Sequence, residues 1–141
     1  MIRFANKYDN DKIIELLKDF AIKSDNPLTK NPLTWSKTYV KTIFTALYAG
    51  RGFILIDQEI TGFLVAVKNQ CFWNKDVYQL QEVMLHGKTN MVIARLIKEY
   101  IRIGKEMTEK HEINQAVISS YPHVDLSKFG LKLLEHHWEI K

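Results

Sequence analysis

The chain has 141 residues, 46% of them hydrophobic and 26% charged, which suits one domain spanning residues 1–141 with a core of its own. A formal net charge of +4 and an isoelectric point near 9.1 fit a polyanionic small ligand, and are too weak to argue for nucleic acid. Cys71 is the single cysteine, so no internal disulfide is expected. The first residues show no signal-peptide core, and no apolar run nears the roughly 20 residues of a membrane span, so neither a leader nor a membrane anchor is expected.

Ile2 to Ala5 alternates and predicts a short first strand. Asp9, Asn10 or Asp11 can cap the helix that follows, whose apolar positions are Ile13, Ile14, Leu16, Leu17, Phe20 and Ala21. Two Asn-Pro pairs make Ser24 to Leu33 a connection. Thr34 is the expected cap of a second helix, striped by Trp35, Tyr39, Ile43 and Leu47 and stopped by Gly50-Arg51-Gly52. Phe53 to Ile56 and Ile60 to Lys68 then read as a hairpin about the turn Asp57-Gln58-Glu59, with Gly62 marking a bulge. Asn69 to Lys75 reads as a loop and residues 77–85 as the fourth strand.

A long helix begins at Thr89-Asn90, with Val92, Leu96, Tyr100 and Met107 on one stripe. Ile113 to Ser119 is a fifth strand, Pro122 to Phe129 a short helix broken by Gly130, and Leu131–Leu134 and Trp138–Ile140 closing strands. Hairpins early and helical crossovers late predict a mixed α/β sheet, mostly antiparallel, with one long crossover helix packed on it.

The strand Tyr78–Leu85 runs through His86-Gly87-Lys88 directly into that helix. The first helical N–H groups lack partners, and the helix dipole adds positive potential there. Gly87 is expected to take a positive φ, and Lys88 adds a full charge, so Lys88, Thr89 and Asn90 form a candidate phosphate or pyrophosphate site.

Other motifs fail. Gly87-Lys88-Thr89 resembles the end of a Walker A loop, but Glu82 stands where its first glycine belongs, which argues against a nucleoside triphosphatase. His111-Glu112 has Gln115 where a zinc-binding His-Glu-x-x-His needs its second histidine, and the other histidines lack ligand spacing, so no metal is expected. Cys71 beside Phe72 and Trp73 reads as packed. Glu99, Glu106 and Glu109 dilute the cationic face of the long helix, so no nucleic-acid surface is expected.

In element order the whole chain resembles the GCN5-related N-acetyltransferase (GNAT) superfamily. That family binds the pyrophosphate of acetyl-CoA at the helix after the fourth strand, through Arg/Gln-x-x-Gly-x-Gly/Ala. With His86 at the Arg/Gln position, Thr89 and Met91 take the small-residue places; with Lys88 there, Met91 and Ile93 do. Both registers lose both glycines. The family's closing Tyr-x-x-x-Gly-Phe corresponds to Leu126-Ser-Lys-Phe129-Gly130-Leu131, with Leu126 where the proton-donating tyrosine stands. Tyr121, five residues earlier, is its candidate substitute. The helix segment Arg95-Leu-Ile-Lys-Glu-Tyr100 also resembles small GNAT-like proteins of short-tailed bacteriophages, some of which look like virion components.

The resemblance implies acetyl transfer from acetyl-CoA to a primary amine, on a small molecule or a protein, in the cytoplasm. Glu82 is the candidate base: it lies mid-strand in an apolar setting, where desolvation raises a carboxyl pKa. Backbone N–H groups of Val83 to Leu85, bared by a splay between strands, would stabilise the oxyanion. The resemblance places Ser119, Ser120 and Tyr121 along the pantetheine arm. Val83, Leu85, His86, Gly87, Lys88, Thr89, Asn90, Met91, Ser119 and Ser120 are thus the cofactor-binding candidates, and Glu82 and Tyr121 the catalytic ones. The alternative is a catalytically degenerate GNAT-fold structural or interaction protein, such as a phage virion or host-binding component. A homodimer through the terminal strands is compatible with either reading.

Overall fold

Five strands lie side by side in chain order in a computed structural model that describes residues 1–23, 36–121 and 123–140. They are β1 (Ile2–Phe4), β2 (Gly52–Asp57), β3 (Gly62–Cys71), β4 (Asn74–Gly87) and β5 (Gln115–Val117). The first four pair antiparallel, and β5 joins β4 in parallel. Helices α1 (Asn10–Lys23) and α2 (Lys37–Ala46) separate β1 from β2, and α3 (Asn90–Glu109) carries the chain from β4 to β5.

The central strands are apolar at successive positions because helices cover both faces of the sheet. On one face Ile54, Ile56, Phe63 and Val65 meet Ile13, Ile14, Leu17 and Phe44 of α1 and α2. On the other, Leu55, Leu64, Ala66 and Leu80 meet Val92, Leu96, Tyr100 and Ile103 of α3. Alternation along β2 and β3 thus feeds two cores at once.

β4 breaks that alternation. Val65 pairs with Met84 but Ala66 pairs with Glu82, so Val83 is an extra residue without a partner on β3. Such a bulge turns the following side chains to the other face. Leu80 packs under α3, whereas Met84 packs with α1 and α2. The bulge therefore sits at Val83, not at Gly62, which opens β3.

Local polar bonds set the helix entries. The Asn6 side chain accepts the Tyr8 N–H, and the Asp9 carboxylate accepts the Asn6 N–H. This capping box is one turn earlier than the expected caps and leads through a 3-10 turn, Lys7–Asp9, into α1. Arg3 grips Asp9 with two bonds of 2.9 Å, and that guanidinium holds the Asp9 carboxyl below its ordinary range. Ser36 caps α2 through the Tyr39 N–H. The expected cap Thr34, Trp35 and the Asn-Pro connection lie outside the described residues. Gly50, at φ 113°, ends the π-helical turn that closes α2.

Four further expectations are corrected. Residues 69–75 are no open loop: β3 runs to Cys71 and β4 starts at Asn74, so Phe72 and Trp73 form a tight, exposed hairpin tip. β5 is limited to Gln115–Val117. After it, the expected short C-terminal helix is one 3-10 turn, Ser127–Phe129, and 131–140 carries no strand. Among the described residues no strand pairs with them, and apolar character alone does not make a strand.

The start of α3 lies against two opposed glycines, Gly62 and Gly87, which pair across β3 and β4. A Cβ on Gly62 would stand 2.3 Å from Val92 Cγ1 and 2.9 Å from the His86 carbonyl oxygen. Gly62→Ala is therefore expected to destabilise by about 1–3 kcal/mol, the usual cost of overpacking. Adding Val92→Ala should restore only part, because the carbonyl contact remains; thermal melts of the two variants check this.

Candidate active site at the parting of β4 and β5

Parallel pairing lasts only from Gln79–Gln115 to Gln81–Val117. Beyond Gln81, β4 continues to Gly87 with no strand partner on that side among the described residues. Pairing with β5 thus stops one residue before Glu82, at the place where a splay was expected.

Glu82 is 5% exposed. Its carboxylate oxygen Oε1 has one protein donor among the described residues, the Ser119 N–H at 3.4 Å, a long contact. Burial pushes the Glu82 carboxyl up to about 7, and the Ser119 amide offsets this in part. At neutral pH the group is therefore divided between its acid and base forms, the condition general-base work needs.

Tyr100 of α3 reaches the same point. Its hydroxyl donates to the Val117 carbonyl at 2.6 Å, and the Leu80 carbonyl lies 3.3 Å away. Burial and the adjacent Glu82 both raise its pKa, so the phenol stays protonated. Tyr100 was legible in the sequence only as part of an apolar stripe. The available signal was that a buried tyrosine hydroxyl usually finds a polar partner.

At the head of α3, Thr89 is the N-cap. Its hydroxyl accepts the Val92 N–H and its carbonyl the Ile93 N–H, both at 3.2 Å. The Lys88 N–H donates to the Thr61 carbonyl at 3.0 Å. That carbonyl is placed by Asp57, whose carboxylate accepts the Thr61 N–H, the Thr61 hydroxyl and the Gly62 N–H at 2.7, 2.6 and 2.9 Å. The N–H groups of Thr89, Asn90 and Met91 have no protein acceptor among the described residues. These three amides, unlike that of Lys88, are the helix-end donors left for an anion. The Met91 side chain is 62% exposed, and Ile93 lies against Gly87.

Gly87 does not take the expected positive φ. It ends β4, and a Cβ there would stand 2.9 Å from both Val92 and Ile93. Close approach of α3, not backbone freedom, requires the glycine. His86 also departs from its expected place. Past the bulge its ring turns to the α1 face, beside Phe20 and Phe63, with Nε2 2.9 Å from Asp19 Oδ2. The Lys88 side chain borders a depression of about 530 Å³ shared with Lys12, Asp19, Lys23 and Glu59.

Of the residues after β5, the structure brings the Ser119 amide to Glu82. Ser120 Oγ donates to the Val124 carbonyl at 3.2 Å, and the Tyr121 carbonyl accepts the Val124 N–H at 2.9 Å. The Tyr121 ring stacks on His123 and is largely exposed. Among the described residues, no group of three or more His, Cys, Asp or Glu side chains is placed to hold a metal, and no helix is long and apolar enough to cross a membrane.

This architecture is that of the GNAT-like acetyltransferase fold. The chain is similar throughout its length to an acetyltransferase from Trypanosoma brucei, with 14% identity, a TM-score of 0.69 and 98% of that chain covered. It is likewise similar to glucosamine-6-phosphate N-acetyltransferase from Arabidopsis thaliana, with 11% identity, a TM-score of 0.68 and coverage of 100% and 97%. An aminoglycoside acetyltransferase from an uncultured soil metagenomic sample gives 16% identity, a TM-score of 0.66 and the same coverage. At such identities the likeness is one of fold. No protein-family model matches the chain, and no curated protein matches its sequence.

The raised Glu82 pKa makes a stability prediction. The fold favours the protonated carboxyl, so its contribution is fully present below the unfolded value near 4.5 and is lost as pH rises through about 7. The loss is on the order of 3 kcal/mol. Glu82→Gln should therefore gain stability over the wild type as pH rises from about 5 to about 8, with the two converging in acid. Urea midpoints across pH test this; a constant difference would contradict it.

Proposed function

We propose that the protein transfers an acetyl group from acetyl-CoA to a primary amine by direct attack. The observation that carries this reading is the buried Glu82 carboxyl, poised near neutrality where β4 leaves β5. The residues present fit the cosubstrate: three open amides, Thr89, Asn90 and Met91, stand at the head of α3 for its phosphates, with Lys88 beside them. Lys88 supplies charge through its exposed side chain, its amide being bonded to Thr61. Acetyl-CoA brings the activated thioester.

Glu82 takes the proton that the attacking ammonium must lose, directly or through a water. Those backbone N–H groups of Val83 to Leu85 that face away from β3, on the stretch of β4 free of β5, donate to the carbonyl oxygen as charge develops on it. The Ser119 amide meets the Glu82 carboxylate, and Ser120 is the next residue along the chain. Tyr121 is the remaining candidate for protonating the thiolate, and its exposed ring leaves it accessible.

Three measurements test the reading. CoA or acetyl-CoA at about 100 times its Kd should stabilise the protein by roughly 3 kcal/mol. Glu82→Gln should lower turnover by about 100-fold or more while leaving CoA affinity near that of the wild type. Wild-type activity should rise with pH through about 7, as the base form of Glu82 appears. No melting shift at millimolar CoA would refute the reading and leave the non-catalytic one, a scaffold serving as a virion or host-binding component.

A further inference from the structure

We propose that Tyr100 is a positioning residue: its hydroxyl ties β4 to β5 across their last two rungs and thereby fixes where pairing stops and where the Glu82 carboxyl sits. The chemical purpose rests on the acetyl-transfer reading, but the geometry does not. Val117 and Leu80, the two carbonyls facing the hydroxyl, belong to opposite strands. Val117 belongs to the final rung, and Leu80 to the one before it. A single group on α3 thus engages both strands where pairing stops.

The helix is set for this reach. A Cβ on Gly104, one turn after Tyr100, would stand 2.9 Å from the Ala116 Cβ, so two small residues let α3 lie close over β5. The Tyr100 ring is 2% exposed and packs against Phe53, with ring centres 6.3 Å apart. Ring and hydroxyl therefore do separable things: the ring fills the core under β2, and the hydroxyl holds the strand ends. Ser119, which donates to Glu82, lies two residues past Val117. Anything that releases Val117 releases that amide and opens the carboxyl to water.

Tyr100→Phe keeps the ring and removes only the tie. In protein carrying ¹³C-labelled glutamate, the wild-type Glu82 carboxyl should titrate near 7. In Tyr100→Phe it should fall toward the ordinary carboxylate range, and the Ser119 and Val83 amide shifts should move with it. Phe53→Leu, which disturbs the ring's packing and spares the hydroxyl, should leave the Glu82 titration in place. An unchanged Glu82 titration in a folded Tyr100→Phe would overturn the proposal, as would an equal fall in Phe53→Leu.

Should Tyr100→Phe fail to fold, the wild type still decides. The Tyr100 hydroxyl proton should exchange slowly with water and show contacts to Val117 and Leu80; fast exchange would overturn the assignment. None of these readouts needs acetyl-CoA. A shifted Glu82 titration without CoA binding would uphold the role of Tyr100 and sink the acetyl-transfer reading, and CoA binding with an unmoved titration would do the reverse.

Discussion

Three rungs of parallel pairing join β4 to β5, and the rest of the architecture follows from that pairing stopping at Gln81 and Val117. A ladder continued along β4 would occupy the backbone from Val83 onward and bring a strand against Glu82. Ending it early leaves that edge of β4, from Glu82 onward, without a strand partner among the described residues. The carboxyl on this stretch is desolvated by the core and met, among the described residues, by one long amide contact. Desolvation prevails over one weak hydrogen bond, which is why the pKa rises.

The bulge at Val83 does a second job at the same place. Without it, the alternation that puts Leu80 and Glu82 on the α3 face would carry Met84 and His86 there as well. With it, Met84 and His86 turn toward α1, and Leu85 returns to the α3 core. The turn into α3 is then held from outside by a short relay. Asp57 orders Thr61, whose carbonyl takes the Lys88 amide. That bond uses one helix-end donor and leaves the next three, at Thr89, Asn90 and Met91, without an acceptor among the described residues.

The fold was legible from pattern. Helical stripes, the apolar runs of β2 and β3, and the strand-to-helix turn at residue 87 all rest on periodicities that tertiary contacts reinforced. Glu82 was legible as well, since a lone carboxylate in an apolar strand has few alternatives to a raised pKa. Other features depended on contacts between distant segments. Gly62 and Gly87 look like turn or bulge glycines in sequence; only the approach of Val92 shows that they are small because α3 lies on them. His86 looked like part of the phosphate turn because the bulge that reverses its face has no sequence signature at Val83. Tyr100 was hidden among aliphatic neighbours, its hydroxyl meaningful only once Leu80 and Val117 were seen together. The closing segment 131–140 was misjudged because strand character needs a neighbouring edge, which sequence does not supply.

The account stands on the parted strands and the head of α3 forming one continuous binding surface. Amide chemical-shift mapping with CoA tests that most directly. Shifts should concentrate at Val83 to Leu85, at Asn90 and Met91, and at Ser119. A response confined to the depression beside Lys12, Lys23 and Lys88, or no response at saturating CoA, would contradict it.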